Sequence, residues 1–184
     1  PMPVEIVPYS GPELEIGELS LRLRRQKHPG GSVGVRIGDA LAYVTDTVID
    51  AETIGFVRGV KLLLHEVWVT AAEVAEADLA ASGHSDSGAV ADLARAAGVG
   101  RLWIVHHHPR RSAAELAEMA SAMQQRAGLP VDLMEGLLRR HGGHVEHVLQ
   151  LVESDPLLAQ RIDPGSGYLL AEVGAFAERS QQGG

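Results

Sequence analysis

The alternation of apolar and polar positions divides the chain near Pro130. Before it, strand-like and helix-like patterns take turns. After it, only helix-like ones are found. Residues 18–23 place leucine at every second position, the period of a strand with one buried face. Residues 32–37 and 40–45 flank Gly38-Asp39, a pair suited to a tight hairpin. Residues 60–64 and 101–105 are short apolar runs of the buried-strand type. Thr70-Ala-Ala-Glu73 and Ser112-Ala-Ala-Glu115 have capping-box spacing and predict helices to about Ala80 and Arg126. Residues 87–97 carry helical apolar spacing that Gly98 ends, and Gly128 and Pro130 stop the helix before them. Strands alternating with helices predict α/β layers.

Beyond Pro130, residues 133–140, 145–152, 156–162 and 168–178 read as helices, and no strand is expected. Gly142-Gly143, Asp155-Pro156 and Pro164-Gly165 punctuate them, and residues 180–184 read as a disordered tail. The expected organisation is an α/β domain over 1–129 and an α-helical segment over 130–184.

Composition narrows the chemistry. With 184 residues, 45% hydrophobic and 22% charged, the chain suits one good core or two small ones. A net charge of −8 argues against broad binding to a phosphate backbone. A nucleic-acid module has only Arg22, Arg24, Arg25 and Lys27 in its favour, with Arg22 and Arg24 on one strand face. Cysteine is absent, so any metal must be held by His, Asp or Glu. No apolar run approaches the ~18 residues of a membrane span. No signal peptide opens the chain, and a cytoplasmic protein without membrane partners is expected.

Three segments place metal-type donors at strand ends: His28-Pro-Gly-Gly-Ser32, Tyr43-Val-Thr-Asp46-Thr47 and Ile104-Val-His106-His-His-Pro109-Arg110. Strand ends are where an α/β fold converges its functional side chains. Imidazole nitrogen and carboxylate oxygen suit a divalent ion, and a carboxylate can bridge two.

Taken in order, "HPGGSVGVRI", "AYVTDT", "KLLLHEVWVT", "SGHSDSGAVADLARAAGV" and "RLWIVHHHPRRS" resemble the C-terminal half of a metallo-β-lactamase superfamily hydrolase, over residues 3–128. Gly83-His84-Ser85 and His106-x-x-Pro109-Arg110 are similar to its ribonuclease Z and phosphodiesterase-like branch. The resemblance implies half of an αββα sandwich. It implies that His28 binds one metal, that His106 binds another and that Asp46 bridges them. His84 would sit beside the substrate phosphate as an electrostatic or proton-donating group, making Asp46 and His84 the catalytic candidates. The cofactor would be a divalent metal, zinc first, with manganese or iron as alternatives. The substrate would be a small molecule or a phosphodiester, and water activated by the ion would be the nucleophile. The family's His-x-His-x-Asp-His motif is not found, and the chain begins about where the second half of the family domain begins.

Residues 131–179 resemble the C-terminal helical domain of flavin-dependent glycerol-3-phosphate dehydrogenases, through Leu137-Leu-Arg-Arg-His-Gly142, Asp155-Pro-Leu-Leu-Ala159, Asp163-Pro-Gly165 and Tyr168-Leu-Leu-Ala-Glu-Val173. That joins two unrelated families and suggests an artificial or rearranged chimera. The alternative function is therefore a non-catalytic chimera with vestigial ligands, whose main property is assembly. Half a sandwich leaves one apolar sheet face to cover. The C-terminal helices would cover it, or a homodimer with twofold symmetry would.

Other polar residues have two readings each. His84 is also placed to start a helix beside Ser85 and Asp86. His65-Glu66 reads as a structural pair after a buried strand, with a catalytic role as the rival. His107 and His108 read as solvent-facing, and Glu73, Glu76 and Asp78 as a solvated helix face. His144 and His147 share a helix face and are further metal candidates, and Gly142-Gly143 separates His141 from them.

Overall fold

A computed structural model describes residues 11–16 and 19–134. The chain divides into two compact units, Pro1–Val131 and Asp132–Gly184, and the described residues belong to the first apart from Asp132 to Met134. His141, His144, His147, the expected helices from 145 onward, almost all of the dehydrogenase-like segment and the tail lie outside the described residues.

Seven strands form one sheet in chain order. They are β1 (Glu13–Ile16), β2 (Leu19–Arg25), β3 (Val33–Ile37), β4 (Leu41–Val44), β5 (Leu62–Glu66), β6 (Arg101–Val105) and β7 (Val131–Leu133). The helices are α1 (Ala51–Val57), α2 (Leu79–Ser82), α3 (Ser87–Ala97) and α4 (Ala113–Ala127). β1 to β4 pair antiparallel, and β4–β5 and β5–β6 pair parallel. The parallel pairs need long crossovers, which α1 supplies before β5 and α2 with α3 before β6. This is the expected α/β architecture.

The register sorts the side chains. Arg36, Ala42, Leu63 and Leu102 lie across from one another on one face, as do Val44, His65 and Ile104, and all are buried. Arg36 donates to the carbonyls of Phe56 (2.7 Å) and Arg58 (3.0 Å) at the end of α1, so this face meets the helices. Phe56, Val57, Val90, Leu93, Leu116, Met119 and Met123 complete that core. The opposite face presents Leu23, Val33, Val35, Ile37, Leu41 and Tyr43, each half-buried.

α3 and α4 form where the pattern predicts them. Ser112 and Glu115 make the reciprocal capping box, and Gly98 and Gly128 end the helices in the left-handed conformation. Five points of the sequence reading need correction. The helix from Thr70 to Ala80 is not made: residues 71–76 are turns, and only α2 is helical. Glu73 does accept from the Thr70 N–H (2.8 Å), but its carboxylate is also gripped by Arg111, while Ala71 N–H donates to Ser87 Oγ (3.0 Å). Glu73 is thus an ion-pair partner rather than part of a solvated helix face, and Asp78 caps α2 by accepting from Ala81 N–H (3.0 Å). α1 is unexpected. Asp50 caps it and Thr53, in place of the usual Glu or Gln, returns the bond. β1 was also not foreseen, and β7 stands where only helix is expected. There Val131 is buried and the Pro130 carbonyl accepts from Leu102 N–H (3.0 Å), drawing the chain along β6.

Arg24 is held by Asp50 at 2.5 Å and by Gln26 at 2.6 Å, which takes it out of the basic stretch. Among the described residues no helix is long and apolar enough to cross a membrane.

Candidate metal centre

Four segments at one end of β4, β5 and β6 build the site. Asp46 follows β4, Glu66 ends β5, and His106 follows β6. His84 precedes α3, whose N-cap Asp86 accepts from the N–H groups of Gly88 and Ala89 (2.8 and 2.9 Å). Asp46 (φ 51°) and His106 (φ 43°) are the non-glycine residues with positive φ among those described. Asp and His tolerate this region better than most residues. The strain is still of order 1–3 kcal/mol each and persists only where the surroundings enforce it.

Those two residues meet. His106 Nε2 lies 3.0 Å from Asp46 Oδ1. The bond from His106 holds the Asp46 carboxyl below its ordinary range, against burial. Reciprocally, Asp46 raises the His106 imidazole. The second pair lies beside them. His84 Nδ1 is 2.6 Å from Glu66 Oε2 and 3.9 Å from Asp46 Oδ1. Glu66 is fully buried, and its Oε1 accepts from Thr47 N–H at 2.7 Å. Burial pushes its carboxyl up to about 8, although the Thr47 bond lowers it. Burial, then the neighbouring His106, depresses His84.

One ligand atom from each of Asp46, Glu66, His84 and His106 lies within 4.8 Å of every other. Two imidazoles and two carboxylates are a donor set that suits a divalent ion where thiolates are absent. The observed convergence fits a metal.

Hydrogen bonds lash the loops together. Ser85 Oγ donates to the Thr47 carbonyl (2.5 Å), Trp68 N–H to the Ser85 carbonyl (2.9 Å), and Ser32 Oγ to the Asp46 carbonyl (2.6 Å). Gly83 sits at φ +77°, and a Cβ there would lie 2.5 Å from Pro29 Cδ and 2.7 Å from His28 Cδ2. Only glycine allows the His28-Pro29 loop this close. His28 is thereby placed beside His84, with ring centroids 5.4 Å apart, and its Nδ1 accepts from Gly30 N–H (3.2 Å). Its ring thus adjoins the centre, while the four converging ligand atoms come from Asp46, Glu66, His84 and His106.

Two residues matter more than their sequence context suggests. Glu66 read as a structural partner of His65, yet it is the acid that holds His84. Trp68 carries no site motif in the sequence, and its indole stacks on His84 at 4.3 Å and 12°. A large aromatic just past a buried strand, in a chain with 4% aromatics, was the available signal. His107 and His108 are half-buried rather than solvent-facing, and the His108 ring meets Trp68 edge-on at 4.9 Å.

No family model and no curated protein matches the chain. Solved structures do. The metallo-β-lactamase fold protein YhfI from Bacillus subtilis matches with a TM-score of 0.58 and 22% identity, over 67% of this chain and 50% of that one. A diphosphatase of the PhnP family matches with 0.46 and 17%, over 56% of this chain and 38% of that one. The short form of human tRNase Z matches with 0.48 and 20%, over 65% and 42%. The chain therefore has part of the metallo-β-lactamase fold and spans about half the length of the first of these structures.

Proposed function

We propose that this chain carries the centre of a metal-dependent hydrolase acting on phosphodiester-like substrates. The convergence of Asp46, Glu66, His84 and His106 carries the reading. Asp46 and His106 are the core ligand pair, and His28 adjoins His84 from the β2–β3 loop. A bound divalent ion, zinc first, would polarise a substrate oxygen and lower the pKa of water. The chain's own residues orient the groups around it. Asp46 fixes the His106 ring through Nε2. Glu66 takes His84 Nδ1, which leaves Nε2 to face the ion or a substrate oxygen. The phosphodiester preference rests on the sequence resemblance through Gly83-His84-Ser85 and His106-x-x-Pro109-Arg110.

Metal analysis of the purified protein tests the reading. The wild type is expected to retain stoichiometric zinc, manganese or iron and to hydrolyse bis(p-nitrophenyl) phosphate. A His28→Ala, Asp46→Ala, His106→Ala triple variant is expected to do neither. The competing reading, a non-catalytic chimera with vestigial ligands, predicts equal metal content in both proteins, and that result would remove the hydrolase mechanism.

The proposal includes a homodimer. A second copy packed on Leu23, Val33, Val35, Ile37, Leu41 and Tyr43 would withdraw that apolar face from water. Light scattering across micromolar concentrations is expected to give twice the chain mass, and a monomer throughout would exclude the dimer.

A further inference from the structure

Each site imidazole is held twice, once at a nitrogen and once on its face. The nitrogen contacts come from carboxylates, Glu66 for His84 and Asp46 for His106. Such a bond fixes the direction of one ring atom and leaves the ring free to swing about it. The face contacts come from a single residue. The Trp68 indole lies nearly parallel to His84, with centroids 4.3 Å apart and planes at 12°. It lies 5.4 Å from His106 at 27°, and His108 closes on it edge-first. The two site imidazoles are 5.7 Å apart, tilted by 36°.

Trp68 is itself anchored. Its N–H donates to the Ser85 carbonyl at 2.9 Å, and the next residue, Val69, bridges to Asp86 while its carbonyl accepts from Ser87 N–H at 3.0 Å. The backbone bearing the indole is therefore pinned to the loop bearing His84. Indole offers a large flat face with two side-chain torsions to fix, which suits it as a platform.

We propose that Trp68 is a positioning residue of the metal centre: its indole sets the ring planes of His84 and His106, so that their nitrogens converge with Asp46 and Glu66 before an ion arrives. The inference rests on the metal-centre reading, because the ion is what the rings are positioned for. A site held in the binding geometry loses less freedom when the ligand arrives. Outer-shell hydrogen-bond partners that orient ligating histidines typically change metal affinity by about 10–100-fold, and a stacked ring that sets the same orientation acts through the same geometry.

The test compares wild type with Trp68→Phe, Trp68→Leu and Trp68→Ala. Zinc affinity by calorimetry is expected to fall about tenfold or more in the Leu and Ala variants and to stay near wild type in Phe, which keeps a ring face. Leucine fills space without a ring, so it separates stacking from packing if the alanine variant fails to fold. Wild-type affinity in a folded Leu variant would overturn the proposal. A metal-free measurement keeps it separate from the hydrolase reading. In imidazole-selective carbon–proton spectra with chelator present, the imidazoles of His84, His106 and His108 are expected to show ring-current shifts that vanish in Trp68→Leu. If the wild type binds no zinc, the hydrolase reading fails alone, and those spectra decide Trp68: unshifted imidazoles in the wild type would overturn the stack.

Discussion

Replacing Glu66 by glutamine is expected to leave the fold intact and weaken divalent-metal binding about 10–100-fold. Glu66 is wholly buried and makes two bonds, accepting from Thr47 N–H and meeting His84 Nδ1. Burial keeps the Glu66 carboxyl protonated below about pH 8 in the metal-free protein, and a divalent ion beside it favours the carboxylate, which only accepts and so keeps the proton on His84 Nδ1 and a lone pair on Nε2. Glutamine preserves the shape and can still accept from Thr47. The amide group then directed at His84 is a donor, so Nδ1 must accept and the proton moves to Nε2, where it blocks a metal. The fold survives because no buried partner is orphaned. Glu66→Ala, in contrast, strands both the Thr47 N–H and His84 Nδ1, at about 1–3 kcal/mol each. Calorimetric zinc titration beside urea unfolding separates the two effects. Equal zinc affinity in wild type and Glu66→Gln would show that the His84 tautomer is irrelevant to binding.

The same kind of sequence signal succeeded in one place and failed in another, and the difference is physical. Ser112/Glu115 and Thr70/Glu73 have identical spacing. After Ser112 come Leu116, Met119, Ala120 and Met123, a buried ladder at helical period that sustains α4. After Thr70 no such ladder follows, and Val74 is exposed. Without an apolar stripe to bury, a cap alone does not hold a helix, and Arg111 claims Glu73 for a tertiary pair. α1 was hidden for the converse reason, since Thr53 returns the bond usually made by a Glu or Gln. β1 carries Glu13 and Glu15 along a sheet edge, where the apolar pattern is weakest.

The site divides in the same way. Asp46 and His106 were legible because they stand at strand ends, where an α/β fold converges functional side chains, and His84 through the resemblance carried by Gly83-His84-Ser85. Glu66 and Trp68 were not, because their roles depend on register between distant segments. The parallel pairing of β5 with β6 sets Glu66 opposite Val105, one residue before His106. The 83–85 loop then brings His84 onto both residues. No spacing in the linear sequence encodes that meeting. Among the described residues the strained backbone falls at Asp46 and His106. Strain of that kind needs support, and the support is visible in Ser32, Ser85 and Thr47, whose bonds tie the loops down.

Acidifying the metal-free protein from pH 6.5 to about 4 is expected to cost roughly 3 kcal/mol of stability through His65 alone. His65 is fully buried on the helix-covered face. Its Nδ1–H donates to the Glu66 carbonyl at 2.8 Å, while Nε2 has no hydrogen-bond partner among the described residues. Burial therefore lowers its pKa from 6.5 to about 4. Between those values the unfolded chain binds a proton that the folded chain refuses. Stability from His65 is thus complete above 6.5 and drains away as pH falls toward 4, at about 1.4 kcal/mol per pH unit. Glu66 acts with the opposite sign. Its folded pKa is about 8 against 4.5 in the unfolded chain, so its contribution falls as pH rises from 4.5 to 8. The two slopes oppose each other between 4.5 and 6.5, and the wild-type curve there is flatter than either group alone would make it. His65→Leu isolates the histidine, since it keeps comparable volume and retains Glu66. In urea unfolding with chelator present, the stability of wild type relative to His65→Leu is expected to fall by about 3 kcal/mol from pH 6.5 to 4 and to stay constant above 6.5. Parallel curves across the whole range would show that His65 is not held neutral by the core.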